Sequence, residues 1–447
     1  LLCQNGLKEP ASQFPVPLAR EAMEDIKPIY RDFGEPDNVA LVAHEGGHEI
    51  HLPSLLAFFE KHLRGAKSEA RQAPAKLPTN NDPTRQIRFA GVEEATARRE
   101  RLIRFIWPGG LPDSQPTVTK NVDEAAVKQH LKGVDRSLVK QIDRLELDVL
   151  GIGSLAYLIH PVKSSETARL AIVHAGHSRP GDFIKRDYHD SIHLFLRMGF
   201  AVVMMHMPQH GWHDDATAEL PNGKMPNVGI SEGHAAIVNL PTQDSSLAPG
   251  AGFQPFLEPV IACVNHWFDI NGRETDVVMI GLSGGGWTTH MAAAVDTRIC
   301  LSFPVAGSFP LYLRNKDRGS VGDLEQFFSP LYNENIAPDG SGGGVATWLE
   351  IYSLGGFGEG RRQVMVTGQY DSCCFRGDPE KTVNTFRDVV ADRVKLLGQG
   401  QWEHKLDTTH RGHMISPWII DEVVAPIVHD LCHEGKQAVA IADKRQR

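Results

Sequence analysis

From about residue 145 the chain alternates short apolar runs with longer amphipathic ones, and that rhythm leaves few folds open. Strands are expected at 155–159, 170–174, 201–206, 276–281, 299–305, 363–367 and 404–407, with helices at 187–198, 254–268, 287–295 and 380–397. Alternation of this kind gives a mostly parallel sheet covered by helices on both faces, an α/β architecture. Two stretches break the rhythm. Residues 211–253 are rich in Gly, Pro, Asn and Asp, and residues 314–360 contain Gly340, Gly342, Gly343 and Gly344. Both read as long irregular connections, the second as a mobile one, and loops of that length above a sheet often bind substrate.

The strongest local signal lies at one of these strand ends. Val277-Val278-Met279-Ile280 runs into Gly281-Leu282-Ser283-Gly284-Gly285, and a helical stretch follows. This is G-x-S-x-G between strand and helix, the setting of a nucleophile elbow. A serine on so tight a turn needs glycine neighbours, because strand and helix approach closely. The helix then aims its free N–H groups and positive dipole end at the serine oxygen.

A nucleophilic serine requires a base and a group that orients the base. Downstream, the strand 363–367 ends in a turn carrying Asp371, the candidate orienting acid, with Asp378 as fallback. Next come His404-Lys405-Leu406-Asp407-Thr408-Thr409-His410-Arg411-Gly412-His413 and then Ser416-Pro417, an N-cap and first helical residue. The base is expected between the last strand and this helix. His413 is favoured because it follows a glycine nearest the helix, and His410 is the alternative. An oxyanion needs two donors. Gly284 N–H is one; Gly176, with the N–H of His177 or its neighbour, supplies the other from the loop after 170–174.

Residues ~145–433 resemble the serine esterase branch of the α/β-hydrolase superfamily. The resemblance rests on His174-Ala175-Gly176-His177, Met205-His206-Met207-Pro208-Gln209-His210-Gly211, Gly281-Leu282-Ser283-Gly284-Gly285, Asp371 and Gly412-His413. It implies an eight-stranded, mostly parallel sheet and ester hydrolysis through an acyl-enzyme. Ala175 departs from the family's usual glycine.

The segment 1–64 repeats the pattern of the last ~75 residues: strand, Gly-turn with an acid, helix, strand, Gly-His turn, helix. Glu9 and His48 stand where Asp371 and His413 stand, so this segment resembles the carboxyl end of a second α/β hydrolase that lacks its serine half. An appendage, a device for pairing chains, and the remainder of a tandem protein are all open roles. Residues 65–84 read as a linker, 85–144 as helical lid or wrap-around elements, and 145–447 as the catalytic domain.

Two metal readings compete. His44-Glu45-Gly46-Gly47-His48 matches H-E-x-x-H, the pattern of zinc peptidases. That motif needs one helical face, and two glycines cost ~2 kcal/mol of helix stability. His206, His210, His213 and Asp214 also cluster, but in a loop where a polar rim is the simpler account.

Composition bounds the remainder. Apolar residues at 41% give material for a sizeable core. A formal charge of −9 speaks against nucleic-acid and anionic-membrane partners. The amino end shows no signal-peptide pattern and no initiator Met, so a processed, cytoplasmic chain is expected. Six cysteines in 447 residues are no disulfide scaffold, and adjacent Cys373 and Cys374 do not suit an ordinary bridge. Pairing of Cys263 or Cys300 with one of them is left open.

The leading expectation is therefore a carboxylic ester hydrolase acting on a small-molecule ester through Ser283, His413 and Asp371, without metal or organic cofactor. An amidase or peptidase with the same triad is the alternative, followed by a zinc peptidase through His44 and His48 and by a non-catalytic binding protein. Trp212, Trp287 and Phe309 are candidates for the substrate pocket, as are Phe253 and Phe256, and a homo-oligomer is left open.

Overall fold

The computed structural model describes residues 1–8, 16–63, 82–165, 167–177, 186–213, 217–272, 275–314, 322–337, 340–376 and 382–431. Glu9, Asp214 and Asp378 lie outside the described residues. The chain divides into two units, Leu1–Pro78 and Thr79–Arg447.

In the first unit, β1 (Leu2–Gly6) and β2 (Ala40–His44) pair in parallel, with the helix Val16–Asp32 between them in sequence and the helix Leu52–Leu63 after them. Gly6 is required here: a Cβ would stand 2.1 Å from the Gly47 carbonyl oxygen. The H-E-x-x-H pattern is not helical. His44 closes β2 and residues 45–49 form bends, so the two histidines do not share a helix face.

The second unit is built on nine strands: β3 (Thr117–Thr119), β4 (Val139–Val149), β5 (Ile152–Pro161), β6 (Arg169–Ala175), β7 (Ala201–His206), β8 (Asp276–Leu282), β9 (Ile299–Val305), β10 (Arg362–Gly368) and β11 (Gln401–Asp407). Their order is β11-β10-β9-β8-β6-β7-β5-β4-β3. Pairings from β7 to β11 are parallel, and those of β5 with β7, β4 with β5 and β3 with β4 are antiparallel. This is a mostly parallel α/β sheet covered on both faces, with β3 as a ninth, three-residue edge strand beyond the eight expected. Of the stretch 85–144 read as helical, Val92–Ile106 is a helix, but β3 and the start of β4 also lie there and belong to the sheet, and β4 crosses the expected boundary at 145.

Along β8 the side chains alternate between two layers. Val277 and Met279 face one apolar cluster with Val260, Val264 and Ala292, whereas Val278 and Ile280 face another with Ile192, Phe195 and Val424. Period-two alternation with both sets apolar is what a strand covered on both faces requires. The stretch 314–360 is not wholly irregular. Trp348–Gly356 is a fully buried helix with a Thr347/Glu350 capping box, and Tyr332 stacks on Trp348 at 4.7 Å between ring centres. Its apolar residues run all round, so it shows no amphipathic period. Among the described residues no helix is long and apolar enough to cross a membrane.

The helix Gly284–Val295 is buried along its whole length. Two buried guanidinium groups grip its carboxyl end. Arg99 Nε donates to the Ala294 carbonyl at 2.9 Å, and Arg361 Nη2 donates to that of Ala293 at 2.5 Å. Both also reach the Leu354 and Phe357 carbonyls. Cations at a helix carboxyl end satisfy orphan carbonyls and oppose the negative dipole end. Burial and the neighbouring cation push Arg99 down to about 9. Arg361→Met takes a donor from the buried Ala293 and Ile299 carbonyls and leaves those of Leu354 and Phe357 to Arg99 alone, so a loss of about 3 kcal/mol is expected in urea unfolding.

Candidate active site

The parallel strands set where a site can form. After β6 the chain moves to one side and forms β7, then returns to the other side of β6 for β8. Loops leaving β6 and β8 therefore diverge in opposite directions, and the crevice at this switch point is where open α/β sheets bind ligands. Gly176 follows β6 and Ser283 follows β8.

Ser283 has φ 60° and ψ −123°, and its N–H donates to the Val305 carbonyl at 2.9 Å. A positive φ on a serine costs roughly 1–3 kcal/mol, held by surrounding structure. The glycines around it have no room for side chains. A Cβ on Gly281 would lie 2.2 Å from Gly285 O, one on Gly285 2.1 Å from His174 O, and one on Gly176 2.7 Å from Gly284 N. The loop after β6 thus lies against the start of the helix Gly284–Val295. Among the described residues, four of the six non-glycine positions with positive φ follow strand ends on this side: Gln209, Ser283, Ala306 and Phe375. Strain gathered at one end of a sheet points to function there.

Asp371 follows β10 and is 2% exposed. Its Oδ1 accepts the N–H groups of Cys373 and Cys374 at 2.8 and 3.2 Å, and its Oδ2 lies 2.8 Å from His413 Nδ1. The turn is closed by a Cys373–Cys374 disulfide, while Cys3, Cys263 and Cys300 are free, so neither Cys263 nor Cys300 pairs with the adjacent cysteines. His413 Nε2 is buried with no hydrogen-bond partner. With Nδ1–H donated to Asp371, Nε2 is the basic nitrogen. His410 goes elsewhere: its Nε2 lies 3.1 Å from Asp407 Oδ2. Asp407 also accepts from Thr409 N–H and Ser416 Oγ–H, and Ser416 Oγ receives Ile419 N–H as the expected N-cap.

Gly176 and His177 follow β6, Ser283 and Gly284 follow β8, and the paired Asp371 and His413 follow β10 and β11, all at carboxyl ends of parallel strands. The aromatic candidates are not brought there as pocket walls. Trp287 is fully buried and donates Nε1–H to Tyr332 Oη at 3.1 Å. Phe253 and Phe256 pack on it, and Phe309 is a core side chain against Phe375. Trp212 donates to the Leu155 carbonyl at 2.7 Å and borders a cleft of ≈ 560 Å³ beside β4 and β5. Among the described residues, His206, His210 and His213 do not form a ligand group: His213 Nδ1 bonds the Met207 carbonyl, and its Nε2 accepts Leu155 N–H at 2.8 Å.

Sequence reading missed Glu334, which organises the loop after β9 by accepting Leu311 N–H and Tyr312 N–H at 3.0 and 3.2 Å. Burial pushes its carboxyl up to about 7. A raised folded-state value means that the protonated form is the stabilising one. Stability is present below the ordinary 4.5 and is lost as pH rises through about 7. Glu334→Gln is expected to flatten this slope, on the order of 3 kcal/mol between pH 4.5 and 8, in urea melts across that range.

No protein-family model matches the chain, and no curated protein does. Several solved structures are similar to it in chain course. Acetyl xylan esterase 1 from Thermoanaerobacterium sp. JW/SL YS485 covers 76% of this chain with 95% of its own, at 15% identity and a TM-score of 0.46. The acetyl xylan esterase from Paenibacillus sp. R4 covers 76% with 92% of its own, at 14% identity and a TM-score of 0.43. A Pyrococcus furiosus esterase covers 72% with 98% of its own, at 13% identity and a TM-score of 0.39.

Proposed function

We propose that this chain is a serine hydrolase of small carboxylic esters. The observation that carries the reading is the pairing of the buried Asp371 carboxylate with His413, whose second imidazole nitrogen is unpartnered, on the carboxyl-end side of the sheet where the strained Ser283 also follows its strand.

In this reading Ser283 Oγ attacks the ester carbonyl carbon while His413 Nε2 takes its proton. Asp371 holds the imidazole in the tautomer with Nδ1 protonated and stabilises the imidazolium that forms. The oxyanion is met by Gly284 N–H and by a backbone N–H of the Gly176–His177 loop. His413 returns its proton to the departing alkoxide, which leaves an acyl-Ser283. It then deprotonates a water that attacks the acyl carbon, and the acid departs as Ser283 recovers its proton.

The test is intact-mass analysis after a fluorophosphonate probe, beside hydrolysis of short p-nitrophenyl esters. One adduct per chain, mapped to the peptide carrying Ser283, is expected. A folded chain that neither labels nor hydrolyses any of these esters would sink the reading.

A further inference from the structure

A second group of titratable side chains lies beside this site and has no part in the proposed ester chemistry. His177 Nε2 is 2.5 Å from Asp323 Oδ2, His234 Nδ1 is 3.9 Å from the same oxygen, and His234 Nδ1 is 3.1 Å from Glu325 Oε2. One ligand atom from each of the four residues can be chosen so that all lie within 4.8 Å of one another. We propose that His177, His234, Asp323 and Glu325 bind one divalent transition-metal ion of the zinc class.

The chemistry of the set fits. Two imidazoles and two carboxylates are nitrogen and oxygen donors of the kind zinc takes in tetrahedral sites. Two carboxylates with two neutral imidazoles carry a charge of minus two, which a divalent cation cancels. Zinc bonds of about 2.0–2.1 Å place tetrahedral ligand atoms roughly 3.3 Å apart, and these atoms already lie within 4.8 Å of one another.

Burial singles out Glu325 independently. It is fully buried, and neither carboxylate oxygen makes a hydrogen bond. A buried carboxylate without hydrogen bonds is costly unless a cation meets it. A divalent ion at the centre of this group would be met by all four side chains. The half-exposed Asp323 and the partly exposed His177 leave one side open for entry.

The ion would join segments that lie far apart in sequence: the loop after β6, the helix Gly233–Val238, and the 323–325 turn at the helix Leu324–Phe327. His177 turns its other nitrogen toward the Ser283 turn, since a Cβ on Gly284 would lie 2.9 Å from His177 Nδ1. Metal at this position would fix one wall of the proposed oxyanion pocket.

The experiment is titration of the full chain with zinc ions alone by calorimetry, without reductant, and with Co(II) read by the visible absorption of a tetrahedral site. One ion per chain is expected. Asp323→Asn and Glu325→Gln should each weaken binding by about 100-fold or more. Asp323 is half-exposed, so its variant tests the site without a core substitution. No saturable binding by the wild-type chain overturns the proposal. So does undiminished binding in both variants, which would assign the ion to other histidines.

Discussion

Ser283→Ala is expected to lower kcat for p-nitrophenyl acetate by about 10⁴–10⁶-fold, the range seen when a triad nucleophile is removed. KM should stay within a few-fold, because the lost oxygen acts in the chemical step rather than in ground-state binding. Labelling by the fluorophosphonate should vanish in the same variant. The fold should not suffer: Ala at φ 60° carries much the same backbone strain as Ser, and Ser283 N–H keeps its bond to the Val305 carbonyl. Burst kinetics with the wild-type chain supply the complementary readout of acyl-enzyme accumulation. Activity preserved in Ser283→Ala would remove the mechanism altogether.

The second large effect separates two histidines three residues apart. His413→Ala should cost about 10⁴-fold in kcat, whereas His410→Ala should cost less than about 10-fold. The difference rests on which acid each faces. His413 meets Asp371, whose other oxygen is engaged by two backbone N–H groups and cannot turn away. His410 meets Asp407, which is already committed to Thr409 and to Ser416, the N-cap of the last helix. Loss of His410 should therefore appear mainly in melting temperature. Equal losses of kcat in the two variants would refute the assignment.

How far the residues themselves announce this arrangement depends on the length scale of each signal. Strands β6 to β10 are runs of apolar residues buried on both faces, and such runs are visible in one dimension. β4 hides because Lys140, Asp143, Arg144, Glu146 and Asp148 interrupt it near the sheet edge, where charged side chains find solvent or partners. β3 is too short, at three residues, to carry any period. The Ser283 turn is legible because its glycines follow from close backbone approach, a local demand. Asp371 and His413 are legible as candidates through their places after strands. Their pairing is a matter of tertiary distance, and so is the nearness of His177, His234 and Glu325. The aromatic residues near the site loops misled for a related reason: Trp287 and Phe309 have the same composition signal whether they line a pocket or fill a core.

The two arginines behind the helix Gly284–Val295 have a consequence for how this protein tolerates change. That helix is a rod of about 18 Å, clamped at the end away from Ser283. Loops that do not pack on the Ser283 turn can be lengthened or reshaped while the helix itself stays in place. The converse also holds. A single replacement at Arg99 or Arg361, far from any substrate atom, should slacken the aim of Ser283. It would then surface in an activity screen as a catalytic lesion, although nothing at the site itself had been altered.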